Sequence, residues 1–361
     1  MQTQSKYRLL VVRLGAMGDI LHALPAVTAL RQAHPGWVID WVVEPAWHAL
    51  LAAEGSPKES ISSSRANPGQ PIVDQVHLAP TKQWRKAPLN GKTIHEIRSL
   101  RQSLRAGNYD TVIDFQGAVR SAVVGRLAGC RRLVGEAEPR ERAARLLFTE
   151  RVRTSGAHVI EQDIELAAAV AGDDLKAVLP WLPVDPAAEA WADHVLPRNS
   201  GQPVVLIIPG AGWGAKRWPA ERYAAAAQGM IDRGMRVLIN AGPGEEALAT
   251  RIATATHDRA EVIVPTLGQL IAVTRRISLC IAGDTGPLHL ACALGRPVVG
   301  IYGPTDPSRN GPFGTRFRIL RSPESRRDHT RHAEPEAGLL TITPSDVLKA
   351  ADELLAEGNA Q

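Results

Sequence analysis

Short apolar runs closed by a glycine, each followed by apolar positions at helical spacing, recur along this chain. The first is Arg8-Leu9-Leu10-Val11-Val12-Arg13-Leu14, closed by Gly15. A run that is apolar on successive positions predicts a strand buried on both faces, as in a parallel sheet. Gly15-Ala16-Met17-Gly18-Asp19 then reads as a tight turn. Ile20, Leu21, Leu24, Val27, Ala29 and Leu30 predict a helix that stops at His34-Pro35-Gly36. Residues 38–43 give the next strand, and 111–114, 119–128 and 132–135 repeat the strand–helix–strand order. Residues 55–71 are rich in Ser, Pro and Gly, lack periodicity and predict a mobile loop inside the first domain.

Prolines at 180, 183, 186, 197 and 203 surround one short helix and mark the domain boundary. The pattern then restarts. Strands are expected at 204–208, 236–239, 261–264, 279–282 and 297–302, with helices at 220–233, 245–256, 267–276 and 288–294. Residues 322–337 are polar and loop-like. A terminal helix over 344–356 has Thr343 as its N-cap and Gly358 just beyond its end. The fold class is α/β, with two doubly wound domains, residues 1–182 and 183–342, and a C-terminal helix and tail over 343–361. Ligands of such sheets lie outside the carboxyl ends of the strands, and two such domains facing each other would make a cleft.

Composition narrows the class. The 361 residues are 44% apolar and 22% charged, with a mean hydropathy of −0.12, which fits a globular chain and excludes a disordered or collagen-like one. No apolar stretch is long enough to span a bilayer, and the opening run is too short for a signal peptide, so a cytoplasmic protein is expected. Three cysteines are too few for a disulfide framework. Cys280 and Cys292 read as core residues, Cys130 as more exposed, and no spacing suggests zinc. The net charge of +5 sits in the first half. Residues 82–153 carry 16 Lys and Arg against 7 Asp and Glu. Such a patch is either an ordinary solvated face or the footprint of an anionic partner. No nucleic-acid motif accompanies it, so a phosphate- or carboxylate-bearing acceptor or a lipid surface fits better.

The turns after the strands carry the candidate chemistry. Gly15-x-x-Gly18-Asp19 lets a ligand approach helix-terminal N–H groups, and Asp19 is either a general base or a capping carboxylate worth about 1 kcal/mol. Pro209-Gly210-Ala211-Gly212-Trp213-Gly214-Ala215-Lys216-Arg217-Trp218-Pro219 suits a diphosphate, with Gly212 in the loop and Lys216 as point charge. In Gly283-Asp284-Thr285-Gly286-Pro287-Leu288-His289 the Thr285-Gly286 helix start is a second anion site. Asp284 suits a sugar hydroxyl or a loop-holding role, and His289 is equally readable as a core residue. After residues 236–239, Gly242-Pro243-Gly244-Glu245-Glu246 offers a carboxylate for ribose hydroxyls or simple charge complementarity at a helix start. Tyr302-Gly303-Pro304-Thr305-Asp306-Pro307 reads as a structural turn. There is no P-loop and no Asp-x-Asp; Asp163-x-Glu165 lies in a helical stretch, where such residues diverge. A diphosphate leaving group would then be neutralised by Lys216, Arg217 and helix N-termini rather than by a metal.

Taken in order, these pieces resemble the ADP-heptose:lipopolysaccharide heptosyltransferases, glycosyltransferase family 9. The resemblance rests on 12–26 (Val12-Arg13-Leu14-Gly15-Ala16-Met17-Gly18-Asp19-Ile20-Leu21-His22-Ala23-Leu24-Pro25-Ala26), Asp114-Phe115-Gln116-Gly117 with Arg120-Ser121, the 215–219 loop, and the motifs at 283–291 and 302–307. It implies a GT-B fold, two Rossmann-like domains around a cleft, and inverting transfer with no metal and no cofactor. It implies Asp19 as catalytic base and Lys216, Asp284, Thr285, Gly286 and His289 at the donor, with Glu245 or Glu246 at its ribose. Gly18, Arg85, Lys86 and Arg120 fall on the acceptor side. The expected partners are a nucleotide-sugar, an anionic lipopolysaccharide precursor and the inner-membrane surface, not nucleic acid. The first half is more similar to heptosyltransferase I and the 209–219 loop to heptosyltransferase II, and 55–71 looks like an insertion; another nucleotide-activated sugar is the alternative donor. A dinucleotide oxidoreductase would need GxGxxG, which is absent. A non-catalytic binding protein would have no need of a base at Asp19.

Overall fold

The computed structural model describes residues 6–55, 67–197, 201–325 and 333–359. The chain divides into two compact units, Met1–Asp185 and Pro186–Gln361. In the first unit the order is β1 (Arg8–Val12), α1 (Met17–Ala33), β2 (Val38–Val43), β3 (Gln75–Leu78), α2 (Thr81–Lys86), α3 (Gly91–Ala106), β4 (Thr111–Asp114), α4 (Val119–Leu127), β5 (Leu133–Glu136), β6 (Glu150–Val152) and α5 (Val159–Ala171). The strands pair in parallel in the order β3-β2-β1-β4-β5-β6. Leu9, Leu10, Val11 and Val12 of β1 are fully buried, as a central parallel strand covered on both faces requires. Of the expected long loop, residues 56–66 lie outside the described ones. Its ends meet where the Ala53 N–H donates to the Gly69 carbonyl at 2.7 Å.

The second unit contains α6 (Pro186–Val195), β7 (Val204–Ile208), α7 (Ala220–Asp232), β8 (Arg236–Asn240), α8 (Glu246–Ala255), β9 (Glu261–Ile263), α9 (Leu267–Thr274), β10 (Leu279–Gly283), α10 (Gly286–Ala293), β11 (Val298–Tyr302), α11 (Pro307–Asn310), β12 (Phe317–Arg321) and α12 (Pro344–Asn359). Its parallel sheet runs β12-β11-β10-β7-β8-β9. Helix α6, from the proline-rich stretch, is held to this unit by ion pairs just after α9. Arg276 reaches Glu189 at 2.5 Å and Asp193 at 2.7 Å, and Arg275 reaches Glu189 at 2.5 Å. Helix α12 packs on α7, β11 and β12 and buries Val347, Ala351 and Leu354 completely. Thr343 caps it as expected: its hydroxyl accepts from Asp346 N–H at 3.2 Å, while the Asp346 carboxylate accepts from Thr343 N–H at 2.9 Å. The helix does not stop before Gly358 but runs through it, because Leu354 and Leu355 still pack on the core in its last turns.

Both sheets reverse direction at a single place, between β1 and β4 in the first unit and between β7 and β10 in the second. Crevices at the carboxyl ends of such strand pairs are where doubly wound sheets bind ligands. Among the described residues no helix is long and apolar enough to cross a membrane.

Candidate active site

At the switch point of the first unit, the turn after β1 leads into α1. Gly15 has φ +153°, and a Cβ there would lie 2.7 Å from the Trp47 indole nitrogen, so only glycine fits. Gly18 and Asp19 fall in the first turn of α1. One Asp19 oxygen accepts from the Ala16 N–H at 2.9 Å; the other meets the Arg13 guanidinium at 3.1 Å. The capping role is therefore real, and it leaves the carboxylate 36% exposed at the carboxyl end of the sheet. Arg13 is itself buried and also donates to the Phe115 carbonyl.

The loop after β4 buttresses this turn. Gln116 Oε1 accepts from Leu14 N–H at 2.9 Å. Asp114 folds the loop by accepting from Gln116 N–H at 2.7 Å, Gly117 N–H at 3.0 Å and the Ser121 hydroxyl at 3.0 Å. Burial nonetheless pushes the Asp114 carboxyl up to about 6 against those hydrogen bonds. Asp163, on α5, is fully buried; burial pushes it up to about 7, opposed by the charge of Arg13 and aided by those of Asp19 and Glu136. Sequence reasoning missed Arg13 as the partner of Asp19; its only signal was a cation inside an apolar run.

Among the described residues Arg85 and Lys86, exposed on the last turn of α2, make no ion pair, while Arg120 is half-buried in the first turn of α4. Beside α2, a cavity of about 640 Å³ opens against β3 and α3, lined by Gln75, His77, Trp84, His95, Glu96 and Ser103 among others. Behind it His77 meets the Tyr109 hydroxyl at 2.9 Å, and that hydroxyl donates to Asp40 at 2.6 Å. Nothing in the sequence pattern pointed to this cavity, because neither β3 nor α3 was expected.

At the switch point of the second unit, Lys216 follows β7 and Asp284 follows β10. The Lys216 ammonium donates to the Asp284 carboxylate and sits 4.3 Å over the Trp213 ring. His289, one turn into α10, faces the other Asp284 oxygen at 3.4 Å. Side chains of Lys216 and Asp284 are 11% and 9% exposed. Burial works to raise the Asp284 pKa, but the hydrogen bond from His289 and the charge of Lys216 outweigh it and hold the carboxyl below the ordinary carboxylate range. The Thr285 hydroxyl turns back to the Gly283 carbonyl at 3.3 Å and does not cap α10. Pro287 has no N–H and the His289 N–H donates to the Thr285 carbonyl at 3.4 Å, so Gly286 and Leu288 carry the first-turn N–H groups that an anion could take.

Glu245 and Glu246 part company. Glu245 accepts from Gly242 N–H at 3.1 Å and lies over Gly210, where a Cβ would come within 2.0 Å of its carboxylate; Glu246 is exposed. Gly214 is also required, since a Cβ there would strike the Ala333 carbonyl oxygen. Among the described residues nothing packs against Gly212, and Arg217 is exposed. The 302–307 turn ends in a short helix capped by Asp306, which accepts from Ser308 N–H at 3.0 Å. Tyr302 and Thr305 are buried there, with hydroxyls that have no hydrogen-bond partner among the described residues.

Two switch points, one holding an arginine-backed carboxylate and the other a lysine–carboxylate–histidine cluster at a helix start, are the candidate site of a doubly wound α/β protein. The family model "Glycosyltransferase family 9 (heptosyltransferase)" matches residues 97–339, and the chain belongs to that family. It is 32% identical over 329 residues to lipopolysaccharide heptosyltransferase 1 of Escherichia coli K12, covering 88% of this chain and 94% of that protein. Identity to lipopolysaccharide heptosyltransferase 2 of the same strain is 26% over 371 residues, covering 98% and 100%. The solved structure of E. coli heptosyltransferase WaaC with ADP-2-deoxy-2-fluoro heptose is similar at a TM-score of 0.74 and 28% identity, covering 96% of this chain and 99% of that one. The chain is thus a glycosyltransferase of the GT-B fold class, with the two parallel-sheet units that class carries.

Proposed function

We propose that this enzyme moves heptose from ADP-heptose to a hydroxyl of a lipopolysaccharide-core acceptor, in one inverting displacement without a metal. The observation that carries the reading is the Lys216–Asp284–His289 cluster at the start of α10. It stores a cation beside open helix N–H groups, balanced by a carboxylate that a diphosphate can replace. The donor is supported by the ADP-2-deoxy-2-fluoro heptose in the similar structure, and the acceptor by the names of the curated relatives.

The acceptor oxygen attacks the anomeric carbon, and the bond from that carbon to the diphosphate oxygen breaks, its electron pair leaving with ADP. The acceptor proton passes to Asp19, which Arg13 keeps aimed. General-base help of this kind is worth about 10²–10⁴-fold. The charge developing on ADP meets Lys216 and the first N–H groups of α10, which bind it more strongly than they bind the intact donor. Thr285, Gly286 and Gly212 line the phosphate approach, and Glu245 accepts from the ribose hydroxyls. Gly18, Arg85, Lys86 and Arg120 serve the anionic acceptor, which brings the first unit to the cytoplasmic face of the inner membrane.

The test is release of ADP from ADP-heptose, measured with and without a deacylated core acceptor and against a panel of other nucleotide-sugars. Acceptor-dependent release from ADP-heptose alone is expected. Turnover of a different nucleotide-sugar would replace the donor, and binding without turnover of any of them would remove the catalytic reading.

A further inference from the structure

We propose that the turn between α2 and α3 and the turn at Arg142–Leu146 are two apolar feet that enter an anionic bilayer, placed by Leu89 and Leu146. The proposal rests on the reading above only for why a membrane is nearby; its evidence is independent.

Leu89 is 89% exposed and Leu146 is 84% exposed, the two most exposed large apolar side chains among the described residues. Such exposure in water is unfavourable by the full transfer free energy of the side chain. Leu89 is not exposed through looseness. The Ala87 N–H donates to the Trp84 carbonyl and the Asn90 N–H to the Ala87 carbonyl, both at 3.2 Å, and the Asn90 side chain caps α3 by accepting from Lys92 N–H at 2.9 Å. Pro88 fixes its own φ within this turn. A leucine just before an N-cap commonly packs on the fourth helical residue, here Ile94. At 89% exposure Leu89 makes almost no such contact, and Ile94 is 36% exposed itself.

Both segments carry more cations than anions. Over 81–106 the chain carries Lys82, Arg85, Lys86, Lys92, Arg98, Arg101 and Arg105, all exposed, against Glu96 alone. Glu96 is already engaged by the Trp84 indole N–H at 2.8 Å and by Lys92 at 3.9 Å. Leu146 follows exposed Arg140, Arg142 and Arg145, interleaved with exposed Glu138 and with Glu141, which accepts from Val119 N–H at 2.8 Å. The two tips belong to connected structure: α3 packs on α4, and α4 packs on the 142–146 turn.

Charge complementarity and the apolar tips together select the occupant. A nucleic acid would use the cations and be indifferent to Leu89 and Leu146. A folded acidic protein would need pockets matched to both leucines. A bilayer of anionic lipid takes the leucines among its acyl chains while its headgroups meet the cations.

The experiment is flotation of the full chain with vesicles of phosphatidylglycerol and phosphatidylcholine, without donor or acceptor, so that failure of the transferase reading leaves the result intact. The wild type is expected to bind anionic vesicles at low salt, to lose them at high salt, and to ignore pure phosphatidylcholine. Leu89→Ser and Leu146→Ser should each weaken partition roughly tenfold, from the buried methylenes lost, and the double variant further. Their thermal midpoints and their turnover of a deacylated, soluble acceptor should match the wild type. Variants that float like the wild type would overturn the proposal. So would wild-type binding to single-stranded RNA that is as tight as vesicle binding and unchanged by either substitution.

Discussion

Replacing Lys216 by methionine removes the cation from a pair that is about nine-tenths buried and leaves Asp284 facing His289 alone. Breaking a buried pair by deleting one partner typically costs about 3–5 kcal/mol. The remaining histidine at 3.4 Å places the expected loss near the lower end, about 3 kcal/mol. The double variant Lys216→Met/Asp284→Asn removes both charges and should return to within about 1 kcal/mol of the wild type, about 2 kcal/mol more stable than Lys216→Met alone. The Asp284 carboxyl is held below its ordinary range in the folded state, so its contribution is present above the unfolded pKa and is lost as pH falls through the acid range. That acid-side loss should shrink in Lys216→Met. Urea unfolding at several pH values reads all of this, and titration with ADP reads the function. Losing a charged hydrogen bond to phosphate, worth about 1.5–3 kcal/mol, weakens ADP binding tenfold to more than a hundredfold. Equal destabilisation of Lys216→Met and the double variant would show that the stranded Asp284 carboxylate is not the source of the cost. Unchanged ADP affinity in Lys216→Met would remove Lys216 from the diphosphate.

Asp19→Asn should abolish transfer while leaving donor affinity within about threefold, since the base acts only on the acceptor proton; more than a tenth of wild-type turnover would leave Asp19 with its capping role alone. Asp163, raised from its ordinary 3.8 to about 7, binds a proton in the folded state that the unfolded chain has released, so stability falls as pH rises between those values. Asp163→Asn should therefore stabilise by up to about 4 kcal/mol at pH 8 and hardly at all at pH 4, and equal melting shifts at both would contradict the burial argument. Arg85→Ser with Lys86→Ser should raise the Michaelis constant for the acceptor and leave that for the donor unchanged; the reverse split refutes their assignment. EDTA should not change turnover, and a loss restored by a divalent cation would end the metal-free mechanism.

The strands that could be found in the sequence are the ones buried on both faces. Val204–Ile208 and Leu279–Gly283 announce themselves because every position is apolar. Three of the four edge strands, β3, β6 and β12, did not. Gln75-Val76-His77-Leu78, Glu150-Arg151-Val152 and Phe317–Arg321 each have an open side, so polar residues break the pattern. Helix α3 was missed because most of its face meets solvent: Thr93, Leu100 and Leu104 are its buried positions.

The sequence alone determined the doubly wound α/β class of each half and the turns at its strand ends, because those follow from local periodicity and from glycine at strand ends. It could name Lys216, Asp284 and His289 but not join them. Lys216 and Asp284 are 68 residues apart and meet only because β7 and β10 are neighbours in the sheet. Strand order likewise brings the Asp114 loop under Arg13 and so decides that Asp19 is both a cap and a carboxylate backed by arginine. It also separates Glu245, turned in over Gly210, from Glu246, left in water. A strand's order in its sheet is set by which apolar faces the whole unit can bury at once, and no stretch of sequence contains that information by itself.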